Sequence, residues 1–347
     1  MKGMLHWKAA QVLAVIVATG GCDKQSNVAN GGSDKQLDDA TIVSKLREAA
    51  EKGIAEDQFE LGFLYGAGLG GANDDAEAVK WYRKAAAQGH ARAQYTLGAH
   101  LADGAGVPKD DAESVIWYRK AAEQGLAEAQ SAYATSLIDG KGVTQDFAEA
   151  VKWYRKAAEQ GNHAAQVRLA SCYGQGQGVP KDDMEAVKWL KKAADQGYAD
   201  AQWRMGMFYE DGVGVPQSGA DAVKWFRKSA DQGNCHAQHS LALCYANGRG
   251  VPKDYPEAAK WFGKAANQGD PMAQFKLGLS YEMGRGVQRD KVMAYMWFNL
   301  AASSSDEISA DSASSREEIA KEMSVAEIAD AQRMGREWKP TPEKVAR

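Results

Sequence analysis

Apolar and polar positions follow one pattern between residues 54 and 302, and this pattern repeats every 36 residues. A tryptophan marks each copy, as Trp81, Trp117, Trp153, Trp189, Trp225, Trp261 and Trp297. Glycine keeps the same step from Gly53 to Gly269, and glutamine keeps it from Gln58 to Gln274. Seven copies without an insertion or deletion predict a tandem-repeat protein in which each repeat packs against its neighbours.

The first half of each copy has the periodicity of an amphipathic helix, as in ARAQYTLGAHLADG from Ala91 to Gly104. Ala93, Leu97 and Leu101 stand four residues apart, so they share one face of that helix. The residue after the leucine, Gly98 here, is glycine or alanine in every copy. A side chain so small lets a neighbouring helix approach closely.

The second half of each copy begins with a turn and a helix-capping signal. Two glycines and a proline in GAGVPKD end the first helix, and Asp110 is followed three residues later by Glu113. The signal recurs at Asp74/Glu77, Asp146/Glu149, Asp182/Glu185 and Asp254/Glu257. It varies in two copies, as Ser218/Asp221 and as Asp290, which is followed three residues later by Met293 instead of a glutamate. We interpret these carboxylates as caps rather than acid–base pairs, with the glutamate reaching back to the cap. The glycine-rich turn follows no strand, which argues against a phosphate loop.

The second helix then runs through EAVKWYRKAAEQG and ends at Gly161 or its equivalent, where a left-handed glycine stops it. Residues 38–53 align with a second helix and predict an N-terminal capping helix. Residues 303–338 predict a serine-rich linker followed by C-terminal capping helices, with a capping box at Ser324 and Glu327, and 339–347 form a tail. The predicted fold class is all-α: an α-solenoid (superhelix) of seven helix-turn-helix repeats with capping helices at both ends.

The N-terminus reads as a bacterial export signal. Residues 1–21 combine lysines with a short apolar stretch, which is typical of a signal peptide, and Cys22 follows as the expected site of lipid attachment. Residues 22–37 are polar and predict a flexible tether. We therefore expect a periplasmic protein anchored to the membrane through Cys22. Simple secretion into the periplasm is the alternative.

Composition narrows the classes of function. The net charge is −4, and 25% of the residues are charged. This balance does not indicate the clustered positive surface that binds nucleic acid. No apolar run is long enough to span a membrane. We therefore expect the protein to contact the membrane only through its lipid anchor. Cys235 and Cys244 stand nine residues apart on one predicted helix, too far to form a disulfide, and with Cys172 they are interpreted as small buried residues. Cys235 and His239 have chelating spacing but lack further ligands, so packing is favoured over a metal.

The motifs AQYTLG, GAGVPKD and AVKWYRKAAEQG resemble the Sel1-like repeat family, a relative of tetratricopeptide repeats. The resemblance covers about residues 54 to 302 and implies a solenoid of antiparallel helix pairs. It also implies an adaptor or scaffold, a role that family members often have in bacterial envelopes. A subgroup linked to β-lactam binding has paired cysteines in each repeat. This chain lacks those pairs, so that activity is not carried over.

In tetratricopeptide repeats the first helix of each pair lines the concave surface. If that geometry holds, variable positions on the first helices form a groove for a protein or peptide partner, and these positions are rich in aromatic and acidic residues. The candidate groove residues are Phe59, Tyr95, Asp103, Asp139, Trp203, Met207, Glu210, Asp211, His239, Leu243, Phe275, Leu279 and Glu282. They predict a partner segment with basic and apolar residues. The alternative is that Trp203 and Phe275 pack between repeats.

We find no arrangement of residues typical of catalysis, and no cofactor or metal motif in a suitable context. The sequence therefore predicts a non-enzymatic protein–protein interaction scaffold or adaptor of the bacterial cell envelope. A cell-wall-active or β-lactam-hydrolysing enzyme is the alternative.

Overall fold

A computed structural model describes residues 39–68, 73–304 and 308–341. Within these residues the chain forms seventeen α-helices and no strand. The predicted signal peptide, Cys22 and the tether lie outside the described residues. The helices are α1 Asp39–Glu51, α2 Ala55–Gly66, α3 Asp75–Ala87, α4 Ala91–Asp103, α5 Asp111–Glu123, α6 Ala127–Asp139, α7 Phe147–Glu159, α8 His163–Gln175, α9 Asp183–Asp195, α10 Ala199–Asp211, α11 Gly219–Asp231, α12 Cys235–Asn247, α13 Tyr255–Asn267, α14 Pro271–Met283, α15 Lys291–Ala302, α16 Ile308–Ala320 and α17 Val325–Glu337.

The chain divides into two compact units, Met1–Asn162 and His163–Arg347. The first contains α1 to α7 and the second contains α8 to α17. Within each unit every helix of a repeat packs against the helices that precede and follow it in the sequence. Each repeat supplies a first helix, from α2 to α14 in even numbers, and a second helix, from α3 to α15 in odd numbers. The predicted seven tandem helix pairs of an α-solenoid are confirmed.

The aspartate caps form as predicted, but the glutamates do not reach back to them. Asp110 Oδ1 accepts from the backbone N–H of Glu113 at 2.8 Å. The backbone N–H of Asp110 already donates to the Leu101 carbonyl at 2.9 Å, so it offers nothing for a glutamate to accept. In the preceding repeat, Glu77 instead accepts from Trp81 Nε1 at 3.2 Å. The complete two-way box forms at Ser324 and Glu327.

Small residues on the first helices bring the helix pairs together, as the sequence predicts. A Cβ atom placed on Gly98 would lie 2.8 Å from the ring of Tyr118 on the second helix of the same repeat. The equivalent distance at Gly206 is 2.4 Å, from the ring of Phe226. An aromatic ring therefore occupies the space where these glycines lack a side chain.

The repeated glutamine joins neighbouring repeats through two hydrogen bonds. Gln94 is 4% exposed. Its Nε2 donates to the Ala86 carbonyl at the end of α3, at 3.1 Å, and its Oε1 accepts from Gln124 Nε2 at 2.7 Å. The first bond recurs at Gln58, Gln130, Gln202, Gln238 and Gln274. The second bond recurs at Gln58, Gln130, Gln202 and Gln238, so these glutamines tie the ends of two successive second helices together.

Both ends of the repeat array are covered by further helices. Leu46 and Ala50 of α1 are buried in a cluster with Trp81, which confirms the predicted N-terminal capping helix. The serine-rich segment predicted as a linker is helical from Ile308 onwards, because Ile308 and Ile319 are buried against the preceding repeat. Helix α17 follows and adds buried Ala331 to the same core.

Candidate functional site

In the first unit, the candidate groove aromatics are half-buried against their own repeats. The ring of Phe59 lies 5.8 Å from Tyr82 and 4.9 Å from His90. The ring of Tyr95 lies 5.8 Å from Tyr118, and burial raises the pKa of the Tyr95 hydroxyl. Both side chains therefore remain partly exposed.

The acidic candidates of the first unit stand at helix ends. Asp103 and Asp139 are exposed at the last residues of α4 and α6. Asp139 forms an ion pair with Lys141 at 3.2 Å. The charge of Asp139 is therefore partly compensated within its own turn.

Phe275 is a core residue, so its prediction as an exposed groove anchor is wrong. Only 9% of Phe275 is exposed, and its ring packs 5.7 Å from Phe298 on the second helix of its repeat. Trp203 lies between repeats instead. Its ring is 5.0 Å from His236, and its Nε1 donates to Ser240 Oγ at 3.2 Å. The alternative of packing between repeats therefore holds for Trp203, whereas Phe275 is buried against its own repeat.

His239 belongs to a half-buried polar cluster with Cys235 and Asp270. Its Nδ1 lies 3.6 Å from Asp270 Oδ1, and Cys235 Sγ lies 3.9 Å from Asp270 Oδ2. Burial opposes ionisation of Asp270, but hydrogen bonds from His239 and from the Ala273 amide outweigh it and lower the Asp270 pKa. Burial and the charge of Asp270 raise the pKa of the Cys235 thiol to about 12. This thiol is protonated at neutral pH and is not an activated nucleophile.

Cys172, Cys235 and Cys244 are all free thiols, and Cys172 and Cys244 are buried. Burial raises the pKa of the Cys244 thiol to about 12. Within the described ranges, no group of three or more His, Cys, Asp and Glu side chains is placed to hold a metal ion. No helix in this part of the chain is long and apolar enough to cross a membrane.

Three pockets open on the second unit, each bounded by two successive first helices and the second helix between them. Pocket I, of about 320 Å³, lies among α8, α9 and α10. Pocket II, of about 460 Å³, lies among α10, α11 and α12, and pocket III, of about 210 Å³, among α12, α13 and α14. Asp211 lines both pocket I and pocket II, and Leu243 lines both pocket II and pocket III. The pockets therefore form one continuous row with a period of one repeat.

Most candidate groove residues of the second unit line this row. Met207 and Asp211 line pocket I, Glu210, Asp211 and Leu243 line pocket II, and Leu243 and Leu279 line pocket III. Met207 is 37% exposed, so its side chain is accessible at pocket I. Pockets II and III thus bring together residues that stand about one repeat apart in the sequence. Glu282 is half-buried, and burial raises the pKa of its carboxyl group.

Pocket I is open because its repeat has small residues at the groove positions. Val167, Ser171 and Gly174 line it, whereas the next repeat has Trp203, Met207 and Glu210 at the same places. The remaining lining is largely apolar and includes Leu190 and Phe208. Variation between copies at these positions therefore shapes the surface.

The charge along the row is mixed, not uniformly acidic as predicted. Glu210 is paired with Arg249 at 3.1 Å, so its charge is compensated inside pocket II. Asp211 remains exposed between pockets I and II. Lys276 and Arg285 line pocket III. Sequence reasoning missed both cations, although each differs from the residue at the same position in most other repeats.

Comparisons with known proteins agree with this architecture. The family model of the Sel1 repeat matches residues 55–90, 91–126, 127–162, 163–198, 199–234, 235–270 and 271–306. No curated protein matches the chain. A solved Sel1 repeat protein from Oxalobacter formigenes is 37% identical, with a TM-score of 0.66 over 80% of this chain and 81% of that chain.

A second solved structure is c5321, a protective antigen present in uropathogenic Escherichia coli strains that displays an SLR fold. It is 33% identical, with a TM-score of 0.50 over 90% of this chain and 74% of that chain. The chain therefore belongs to the Sel1 repeat family. Sel1 repeats generally bind protein partners and typically build scaffolds without catalytic activity.

Proposed function

We propose that this chain is a non-enzymatic interaction protein of the bacterial cell envelope. It binds an extended segment of a partner protein along the first helices of the repeats. The observation that carries this proposal is the row of three pockets in the second unit. Pockets I and III combine apolar side chains with polar groups, and pocket II is more polar. Specific protein interfaces use apolar contacts together with polar groups in the same way.

An extended segment suits this row because successive pockets share a lining residue and are therefore direct neighbours. The segment places one side chain in each pocket, and the exposed Asp211 attracts a basic group of the partner between pockets I and II. Phe59 and Tyr95 offer aromatic edges for further contacts in the first unit.

Filling pocket I tests the proposal. Gly174→Ile introduces a large side chain into the lining of pocket I. The preceding repeat already has an isoleucine, Ile138, at this position. The change should be tolerated, because only Ala186 Cβ, at 4.0 Å, lies near a new Cβ atom. We expect at least about tenfold weaker binding of partners captured from the native envelope by cross-linking, which corresponds to about 1.4 kcal/mol.

Gly263→Ile is the matched control. It makes the same chemical change on a second helix, where a new Cβ atom meets no other atom within 4 Å, and Gly263 lines none of the three pockets. Binding by this variant should equal that of the wild type. Equal binding by both isoleucine variants would show that the row is not the docking surface.

Residues 1–22 support a lipid anchor in the periplasm. Growth with radiolabelled palmitate should label the wild-type protein, and cell fractionation should recover it with membranes. Cys22→Ala should lose the label and enter the soluble periplasmic fraction. A wild-type protein that carries no label would favour secretion without an anchor.

A further inference from the structure

Pocket III differs from the other two pockets in the sign of its unpaired charge. Its floor is apolar and includes Leu243, Phe262 and Leu279, whereas Lys276 and Arg285 stand at its edge. Lys276 Nζ lies 5.6 Å from the ring centre of Phe275, and Arg285 Cζ lies 5.7 Å from that of Tyr255. Among the residues the structure describes, neither cation forms an ion pair. Two positive charges therefore face the opening of an apolar pocket.

The preceding repeat shows what such a cation binds. Arg249, which occupies the same position as Arg285 one repeat earlier, pairs with Glu210 across a repeat junction at 3.1 Å. The residue that corresponds to Glu210 in the next repeat is Ala246, and Ala246 lines pocket III. Pocket II thus has an internal carboxylate for its arginine, while pocket III has a methyl group in that place.

We propose that pocket III binds an acidic segment of the partner, in which an Asp or Glu residue stands next to an apolar residue. The incoming carboxylate contacts Arg285 and Lys276 as the Glu210 carboxylate contacts Arg249, and the apolar side chain fills the pocket floor. Charge-assisted hydrogen bonds to arginine are stronger than neutral ones, which gives this site its selectivity. The inference rests on the proposed function, to which it adds the chemistry of one subsite.

The direction of the bound segment follows from the charges. Asp211 presents a negative charge between pockets I and II, and Arg285 presents a positive charge at pocket III. A partner segment with a basic end at pockets I and II and an acidic end at pocket III is therefore complementary to the surface. The reverse orientation places like charges together.

Selection of random peptides on the purified protein tests this inference without knowledge of the partner. Peptides displayed on phage, with no free carboxyl terminus, should be enriched in an acidic residue beside an apolar one. A selected peptide, synthesised with both ends blocked, should bind at least about tenfold more tightly than its Glu→Gln analogue, and its binding should weaken as salt rises.

Ala246→Glu supplies the internal carboxylate that pocket II already has. The new glutamate should pair with Arg285 and leave the folded state at least as stable as the wild type. It should lower the affinity for the acidic peptide at least about tenfold. Ala246→Gln is the matched control, because it adds the same volume without the charge. It should lower the affinity for the acidic peptide less than Ala246→Glu does. Lys276→Gln combined with Arg285→Gln should remove the preference for the acidic peptide.

The outcomes separate this inference from the proposed function. Selected peptides without acidic residues, equal binding by Ala246→Glu and the wild type, or a requirement for a free terminal carboxylate would each overturn the acidic subsite. If the Gly174→Ile variant does not bind those peptides, the row of pockets is still supported as the docking surface. A failure to select any peptide would overturn both proposals.

Discussion

At the scale of single residues, contact with the preceding repeat requires a glycine in five of the turns, at Gly106, Gly142, Gly214, Gly250 and Gly286. Gly142 has a φ of 68°, and a Cβ atom placed there would lie 2.0 Å from the Asp111 carbonyl oxygen. Gly125 also has a positive φ, of 94°, but no other atom lies within 4 Å of its Cβ position. Gly142 is needed for both conformation and space, and Gly125 for conformation alone.

These two glycines give a paired prediction. Gly125→Ala should lower the free energy of unfolding by about 1 kcal/mol, the cost of a left-handed alanine. Gly142→Ala should cost at least about 3 kcal/mol, because the backbone must also move to relieve the contact. Urea unfolding of both variants measures the difference. Equal losses would show that the contact with Asp111 has no energetic weight.

Asp270 contributes stability that depends on pH. It caps α14, with Oδ1 accepting from the Ala273 amide at 2.7 Å, and its pKa is lowered in the folded state. Its contribution is therefore present above the unfolded pKa of about 3.9 and is lost as pH falls through the lowered folded value.

Asp270→Asn keeps a good cap but removes the charge. The stability difference between the wild type and this variant should be largest above about pH 4 and should shrink in more acidic solution. Urea unfolding at several pH values measures it. A difference that does not change with pH would mean that the ionised carboxylate adds nothing to stability.

At the scale of elements, the buried glutamines connect helices that would otherwise only touch. Gln202 Nε2 donates to the Ala194 carbonyl at 3.1 Å, and Gln202 Oε1 accepts from Gln232 Nε2 at 2.7 Å. The Ala194 carbonyl stands at the C-terminal end of α9 and also accepts from the Gly197 amide at 3.0 Å. The glutamine adds a second donor, from the next repeat, to this carbonyl.

Gln202→Leu should lower the free energy of unfolding by about 1–3 kcal/mol, because it removes both hydrogen bonds that this buried side chain makes. Gln232→Ala should cost less, since Gln232 is only half-buried and water can reach its partner. Chemical unfolding of both variants compares them. A loss at Gln232 as large as that at Gln202 would contradict this account.

At the scale of the whole molecule, a repeat array needs its last apolar face covered. In the second unit α16 and α17 provide this cover. The Trp297 ring lies 6.3 Å from Trp338 in an edge contact, and Gln332 Nε2 donates to the Tyr295 hydroxyl at 3.3 Å. The Thr341 amide also donates to the Asn267 carbonyl at 2.8 Å.

A chain that ends at Ala302 should therefore unfold at lower temperature and associate, since it exposes Trp297 and its apolar neighbours. A chain that ends at Thr341 keeps α16 and α17 and is the control. Thermal unfolding together with light scattering measures both effects. An unchanged midpoint without association in the shorter chain would show that the last two helices are dispensable.

The sequence by itself determined the helix pairs, their caps and the order in which they stack. These features depend on signals that act within a few residues, such as the Asp110 cap and the glycine after each helix, and the repeat multiplies each signal. The Sel1 resemblance and the positions of the first helices followed from the same 36-residue step.

Only the tertiary structure decided which groove side chains are accessible and where charges remain unpaired. Phe275 is buried while Trp203 spans a junction, although both hold the same position in their repeats. Arg285 lacks the acidic partner that Arg249 has, because that partner comes from a different helix in the preceding repeat. Such properties depend on pairs of residues brought together by packing, and no local pattern in the chain encodes them.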